Sequence, residues 1–207
     1  DALIQKVEDG FATPALVPIP KSSSLYPEGI QAEHNVEKAK LLVQQVGLKE
    51  RPVLITPNTP TEGPLGEVIQ AQLKEVGIDV ELQKLEVPTF VERMFTKKDY
   101  GIGICGDTAG GDPDDLLYRY LNSKGTTNIC NYEDPEVDRL LLQARQTYDP
   151  STRKDLYRNV TQKLLEDAPI VYLYQAQRHS AIRSQAQNIV FKGDLSYDWR
   201  EATVERK

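Results

Sequence analysis

Between residues 53 and 105 the sequence passes twice from a short apolar run into helical periodicity and back. Val53-Leu54-Ile55-Thr56 is a β-branched run closed by Pro57 and Asn58. A helical stretch over 65–76 follows, with Gly77 as its stop. Ile78-Asp79-Val80-Glu81-Leu82 alternates apolar and polar residues, the pattern of a strand with one buried face. Pro88 opens a further helix over 88–97, and 100–105 returns as a glycine-containing strand. Helical connections of this length join parallel strands through right-handed crossovers. The layered solution is an α/β fold: an open, mostly parallel (mixed) sheet flanked by helices. The runs 53–56, 78–83 and 100–105 are therefore expected side by side and parallel. Such sheets take ligands at the carboxyl ends of their strands, here the loops 56–64 and 106–113.

Helices dominate the rest. Leu3, Ile4 and Val7 fall at helical spacing before Gly10. Residues 11–34 carry four prolines and the run Ser22-Ser23-Ser24 and read as a long ordered loop. Asn35 caps a helix over 36–46, and Gly47 ends it. Helices are also expected over 116–121, from Asp134-Pro135 to about Tyr148, and from Asp149-Pro150 to about Ala168. Residues 169–174 read as a buried strand, and the tail 188–207 as short strand-like pieces around Trp199. No repeat or linker divides the chain, so it reads as one unit. With neither initiator Met nor leader before the first helix, it reads either as a piece of something longer or as a mature protein opening on a helix.

Charge and composition narrow the function. A net charge of -6 argues against nucleic acid as a partner, because a binder must replace condensed cations with its own Lys and Arg. No apolar run approaches the roughly 18 residues of a membrane helix. Two His and two Cys leave little for a metal site, and no metal or cofactor is expected. His34 and His179 are isolated from any nucleophile pattern and read as solvated or packing imidazoles.

Gly101-Ile102-Gly103-Ile104-Cys105-Gly106 matches the G-x-G-x-x-G of dinucleotide sites. Here the glycines occupy the expected strand itself, and residues 116–132 contain no acid for a ribose. A strand that lets something approach closely is the better reading. Asp107 stands where that strand ends; its carboxylate either serves a turn or pairs with a ligand ammonium. Asp112, Asp114 and Asp115 around Pro113 resemble a helix cap and lack the alternation of an EF-hand. Cys105 and Cys130 are two free thiols or one disulfide. The sequon Asn159-Val160-Thr161 falls inside an expected helix and is set aside.

Several stretches together carry a resemblance. They are Asn128-Ile129-Cys130-Asn131-Tyr132-Glu133-Asp134-Pro135-Glu136-Val137-Asp138-Arg139-Leu140-Leu141, Arg153-Lys154-Asp155-Leu156-Tyr157, and Leu164-Leu165-Glu166-Asp167-Ala168-Pro169-Ile170-Val171-Tyr172-Leu173-Tyr174. Gly10-Phe11-Ala12-Thr13-Pro14-Ala15, Glu37-Lys38-Ala39-Lys40-Leu41-Leu42 and Gly77-Ile78-Asp79-Val80 precede them in matching order. Along essentially its whole length the chain resembles the second lobe of the extracellular solute-binding proteins of the peptide/nickel class, which deliver ligands to ABC importers. The resemblance implies that 1–207 is a single ligand-binding lobe, the C-terminal one of two, with the first lobe preceding Asp1 and the tail running back toward it. It implies a non-catalytic protein, periplasmic or extracellular, either free or membrane-anchored through a preceding segment. Its partners would be a peptide or similar small solute and ABC permease subunits.

By motif match, Asp107 takes the place of the aspartate that holds a ligand's α-ammonium in the family's peptide binders. Ile104, Cys105, Gly106 and Thr108 around it, with Thr56 and Asn58 at the first strand's end, would complete one wall of the cleft. Two departures point away from a plain dipeptide. The loop from Asp107 to Asp112 is longer than in dipeptide binders, and Thr56-Pro57-Asn58 stands where they carry an arginine. The alternatives are a nucleotide-binding α/β enzyme domain and a ligand-sensing receptor domain of the same fold.

Overall fold

In the computed structural model, β2 (Val53–Pro57), β3 (Glu81–Leu85) and β4 (Ile102–Gly103) form one parallel sheet in the order β3-β2-β4. The structure describes residues 2–108, 110–192 and 195–205. Asp1, Ala109 in the expected ligand loop, and Gly193, Asp194, Arg206 and Lys207 in the expected tail strands lie outside them. The parallel arrangement of the three runs is as the sequence predicts, but two boundaries differ. Pairing of β3 begins at Glu81, not residue 78. The carbonyl of Val80 is taken by the side chains of Arg51 (3.1 Å) and Gln70 (3.0 Å), so no neighbouring strand receives it. β4 is shorter than 100–105, although Gly101 and Ile104 still donate to the carbonyls of Val53 and Ile55 at either end.

β2 is buried on both faces. Leu54 turns to a cluster with Leu65, Val80 and Ile104, and Ile55 to a larger one with Phe90, Met94 and the second-half helices. That is why its sequence is a continuous apolar run. Over the first face lie α1 (Ala2–Val7) and α3 (Glu62–Glu75). A Cβ at Gly66 of α3 would stand 2.9 Å from the Thr56 methyl and 3.0 Å from Leu82, so this glycine brings helix and sheet together. On the other face, α4 (Val87–Val91) continues as a π-helical segment, Glu92–Lys97, and buries Phe90 and Met94. α2 (Val36–Val46) buries none of its residues; its Asn35 cap and left-handed Gly47 stop are as expected.

The second half builds a helical layer from α5 (Asp114–Leu121), α6 (Pro135–Gln146) and α7 (Pro150–Asp167). Asp134 Oδ1 accepts from the amides of Glu136 (2.8 Å) and Val137 (2.9 Å). Asp149 Oδ2 accepts from the Thr152 amide and from the Ser151 and Thr152 hydroxyls. These caps satisfy amides that the first helical turn leaves unpaired. Val137, Leu141 and Ala144 of α6 and Tyr157 and Val160 of α7 are fully buried where the two helices meet.

Two expectations need correction. The proline-rich stretch 11–34 contains β1 (Ala12–Pro14), and it buries Val17, Ile19 and Leu25 in the core. The strand expected over 169–174 starts instead at Tyr174, as β5 (Tyr174–Ala176), antiparallel to β1. Val171 is 70% exposed, so the apolar run before β5 is not core. The tail forms two short antiparallel pairs. β6 (Ala186–Gln187) meets β9 (Thr203–Val204), and β7 (Val190–Phe191) meets β8 (Tyr197–Asp198).

The close approach at Gly66 gives a direct test. Gly66→Ala forces Thr56 and Leu82 apart and should cost about 1–3 kcal/mol in urea unfolding. Gly106→Ala, with nothing within 4 Å of the added carbon, should stay within about 0.5 kcal/mol of wild type. The Asp149 cap should show in pH dependence. Its hydrogen bonds from Ser151 and Thr152 hold the carboxyl down at about 2. The folded value lies below the unfolded one, so the cap's stabilisation is present at neutral pH and is lost as pH falls from about 4 through about 2. The gap in urea midpoint between wild type and Asp149→Ala should therefore be fully open at pH 7, reduced at pH 2.5 and nearly closed only below about pH 1.5.

Candidate functional site

The main concavity is a cleft of about 2190 Å³ at the side of β4. Its walls are the chain from Tyr100 to Thr108, the turn 129–133, and the segment 167–178 between α7 and β5. Five of the seven residues expected at the site line it together: Ile104, Cys105, Gly106, Asp107 and Thr108. The chain leaves the sheet after Ile104, whose amide makes the last bond to β2, and these residues follow from that exit.

Thr56 and Asn58 lie elsewhere. Thr56 is fully buried, its hydroxyl donating to the Glu62 carbonyl (2.9 Å) and its methyl against Gly66. The Asn58 amide donates to the Leu85 carbonyl and ties the end of β2 to that of β3. Neither reaches the cleft lining.

Asp107 is not a bare anion. Its Oδ2 accepts from Arg119 Nη2 at 2.8 Å and from the Tyr120 hydroxyl at 2.5 Å, and its Oδ1 accepts from the Thr108 amide at 2.7 Å. The side chain keeps 33% of its surface open. Burial, and then the bond to Asp107, push the Tyr120 hydroxyl far above its ordinary value, so it stays a donor. Arg119 and Tyr120 are neighbours on α5, which thus delivers a cation and a hydroxyl to one carboxylate oxygen.

The loop that follows is pinned at its far end. Asp112 accepts two bonds from the Arg153 guanidinium of α7, at 2.9 and 2.8 Å, and Arg153 also donates to the Tyr157 hydroxyl. This fork, foremost, lowers the Asp112 carboxyl below its ordinary range. Asp112 also accepts from the Asp114 amide, as a cap would, but Pro113 at the cap position provides no side-chain bond. Burial raises the carboxyl of Asp114 against the pull of Arg145, which pairs with it at 3.1 Å and lies 3.9 Å over the Tyr118 ring. Asp115 accepts from the Gly110 amide. The three acids therefore hold the loop to the helical layer more than they cap α5.

The glycine motif is a packing device. A Cβ at Gly101 would meet Pro52 at 3.0 Å and the Val53 backbone at 3.3 Å, and one at Gly103 would meet Met94 and Tyr100 at 3.1 Å. The next helix begins only at Asp114, so no helix N-terminus follows the glycines to receive a pyrophosphate. Cys105 and Cys130 are both free thiols, and both line the cleft. Although Cys105 opens onto the cleft, surrounding protein withdraws its thiol from bulk water. That burial, with the Asp107 charge second, pushes it up to about 11. Burial likewise raises Cys130, which donates to the Pro169 carbonyl at 3.2 Å. His179 packs edge-on against Phe11, with ring centres 4.9 Å apart. Among the described residues no group of three or more His, Cys, Asp or Glu is arranged to hold a metal.

Sequence reasoning missed the aromatic character of the cleft. Tyr100, Tyr120, Tyr132, Tyr172 and Tyr174 all line it, half of the chain's ten tyrosines. They come from separate segments, and the only sequence signal was the high tyrosine count.

The thiols supply a test. Alkylation of Cys105 by iodoacetamide should keep rising about tenfold per pH unit from pH 8 to 10, because its thiol titrates at about 11. An ordinary thiol levels off near pH 8.5–9. A plateau below pH 9 would contradict the desolvated environment.

The model of the bacterial extracellular solute-binding proteins, family 5 (middle), matches residues 1–128. The oligopeptide-binding protein AppA of Bacillus subtilis is 28% identical over 203 residues, covering 88% of this chain and 37% of AppA. The probable D,D-dipeptide-binding periplasmic protein DdpA of Escherichia coli is 32% identical over 196 residues, covering 91% of this chain and 38% of DdpA. Among solved structures, a dipeptide-binding protein from Pseudoalteromonas in complex with Met-Leu superposes with a TM-score of 0.86 at 20% identity, over 99% of this chain and 42% of that one. At that identity the superposition speaks for the fold. The chain spans about two fifths of the length of these relatives.

Proposed function

We propose a function that starts from one fact: the chain belongs to the bacterial extracellular solute-binding proteins, family 5. In this reading the cleft beside β4 is one wall of a solute site. The protein captures a peptide or similar small solute outside the cytoplasmic membrane and passes it to the permease subunits of an ABC importer. The second wall is a further lobe that closes over the first. The role is binding, without catalysis.

The observation that carries this reading is the position of Asp107. It stands where the chain leaves the sheet, on the cleft wall, partly open, among aromatic side chains. A ligand ammonium placed there would share the carboxylate with Arg119, whose charge limits the pull on a lone cation. A ligand that also brings a negative group fits such a pair better than a simple amine does. Peptides satisfy that description. So do other solutes, and the relatives' names range over oligopeptides, glutathione and nickel. The glycine motif supports no nucleotide reading, because Gly101 and Gly103 are packed against neighbouring atoms and the next helix begins only at Asp114.

The test is calorimetry with the solute that co-purifies with the protein, identified by mass spectrometry, and with its N-acetylated twin. Asp107→Asn keeps the shape and removes the charge. It should weaken the free-amine solute by about 1.5–3 kcal/mol, the scale of a hydrogen bond to a charged group, and leave the acetylated one unchanged. Equal affinity of wild type and Asp107→Asn for the free amine would reduce Asp107 to a turn residue.

A further inference from the structure

Four of the five cleft tyrosines have hydroxyl partners within the protein. Tyr100 donates to the Ile129 carbonyl (2.8 Å), Tyr120 to Asp107 (2.5 Å) and Tyr132 to Asp167 (2.6 Å), while Tyr174 is bonded to Glu8. Tyr172 is the exception: among the described residues, no side chain or backbone group partners its hydroxyl. Its residue is partly buried and its side chain faces the cleft, with Val171 beside it turned out to solvent. A partly buried hydroxyl forgoes a hydrogen bond unless water or a ligand supplies one, so its position calls for an occupant.

We propose that the Tyr172 hydroxyl, which lines the same cleft as the thiols of Cys105 and Cys130, is a binding subsite for a neutral hydrogen-bond acceptor of the solute, namely a peptide backbone carbonyl. The proposal deepens the reading of this cleft as a solute site and rests on it. All three groups line one cleft. Both thiols lie close enough to Tyr172 for their charge to act on its hydroxyl, and Cys105 stands in the same relation to Asp107.

The chemistry of the patch selects its ligand group. Burial raises the hydroxyl of Tyr172 and both thiols above their ordinary values. At neutral pH the three are uncharged, and the hydroxyl is the strong donor among them. A charged ligand group placed there would be desolvated without a counter-charge, which is costly. A carbonyl needs only the donor. The patch thus differs in kind from Asp107, which takes a cation.

That difference defines the experiment. Trialanine and N-acetyl-trialanine are titrated into the 207-residue chain and followed by amide chemical shifts, which read millimolar affinities. Tyr172→Phe removes one oxygen and no partner in the protein. It should bind both peptides about fivefold more weakly, in the range of a neutral hydrogen bond. Asp107→Asn should weaken only the free-amine peptide. Either peptide should also slow alkylation of Cys105 and Cys130 in the wild type. Weakening of both peptides by Tyr172→Phe with no effect of Asp107→Asn supports the subsite and removes the ammonium assignment. Tyr172→Phe binding N-acetyl-trialanine as tightly as wild type overturns the subsite. So does alkylation of both thiols that neither peptide slows.

Discussion

Everything else in this fold is placed by the burial of β2 on both faces. Leu54 and Ile55 are adjacent and fully buried, and because strand side chains alternate they point into two different cores. Each contributes about 1.5–3 kcal/mol when withdrawn from water. The strand can do this only as the middle of three, with β3 and β4 parallel on either side and helices above and below. β4 is therefore an outer member of this sheet, and the chain that leaves it, Cys105 to Thr108, is free to face a cleft. The same burial explains why Thr56 cannot contact a ligand: its hydroxyl is turned into the layer under α3.

The cleft wall is then shaped by arginines reaching the loop after β4 from behind. Arg119 on α5 holds Asp107, and Arg153 on α7 holds Asp112 through a two-pronged contact. The loop is thus fastened at both described ends to the helical layer, and that layer is itself set by the capped starts of α6 and α7. A guanidinium suits this work because its planar fork fixes direction as well as charge. Capping, helix packing and site geometry form one chain of causes here.

Much of this was legible in the sequence, for identifiable reasons. Local rules hold where the chemistry is local. Asn35, Asp134 and Asp149 cap their helices, Gly47 takes the left-handed turn that ends α2, and the glycines at 101 and 103 sit in the strand region and not in a phosphate loop. The failures come from partners distant in sequence. β1 and β5 are three residues each, one ends in a proline, and only their antiparallel register, Ala12 opposite Ala176, makes them strands. Val80 reads as strand by alternation, yet Arg51 and Gln70 take its carbonyl. The place of Asp107 on the cleft wall was legible because it ends a strand. The partnership of Arg119 and Tyr120 with it, and the place of Tyr172 on the same wall, were not, because in sequence α5 shows only an amphipathic turn and 170–172 only an apolar run. Residues 170–172 look like core for the same reason that they suit a cleft wall: they are apolar with one hydroxyl.

The pairing of the cleft's charges has a consequence for binding. On the cleft wall Asp107 is compensated by Arg119, and further along the chain Asp112 is compensated by Arg153 and Asp114 by Arg145. In the open cleft, water screens the Asp107–Arg119 pair, which adds little to stability. If a ligand or a second surface expels that water, the same pair strengthens, because the effective dielectric falls. A bare carboxylate on the wall would instead resist closure, since burying it alone carries a large desolvation penalty. The wall therefore pre-pays part of that penalty, and in return it holds a lone cation less tightly than an isolated aspartate would. In the proposed reading, selectivity on such a wall comes from groups that remain unpaired, and among the cleft's described tyrosines the hydroxyl of Tyr172 is the one that does.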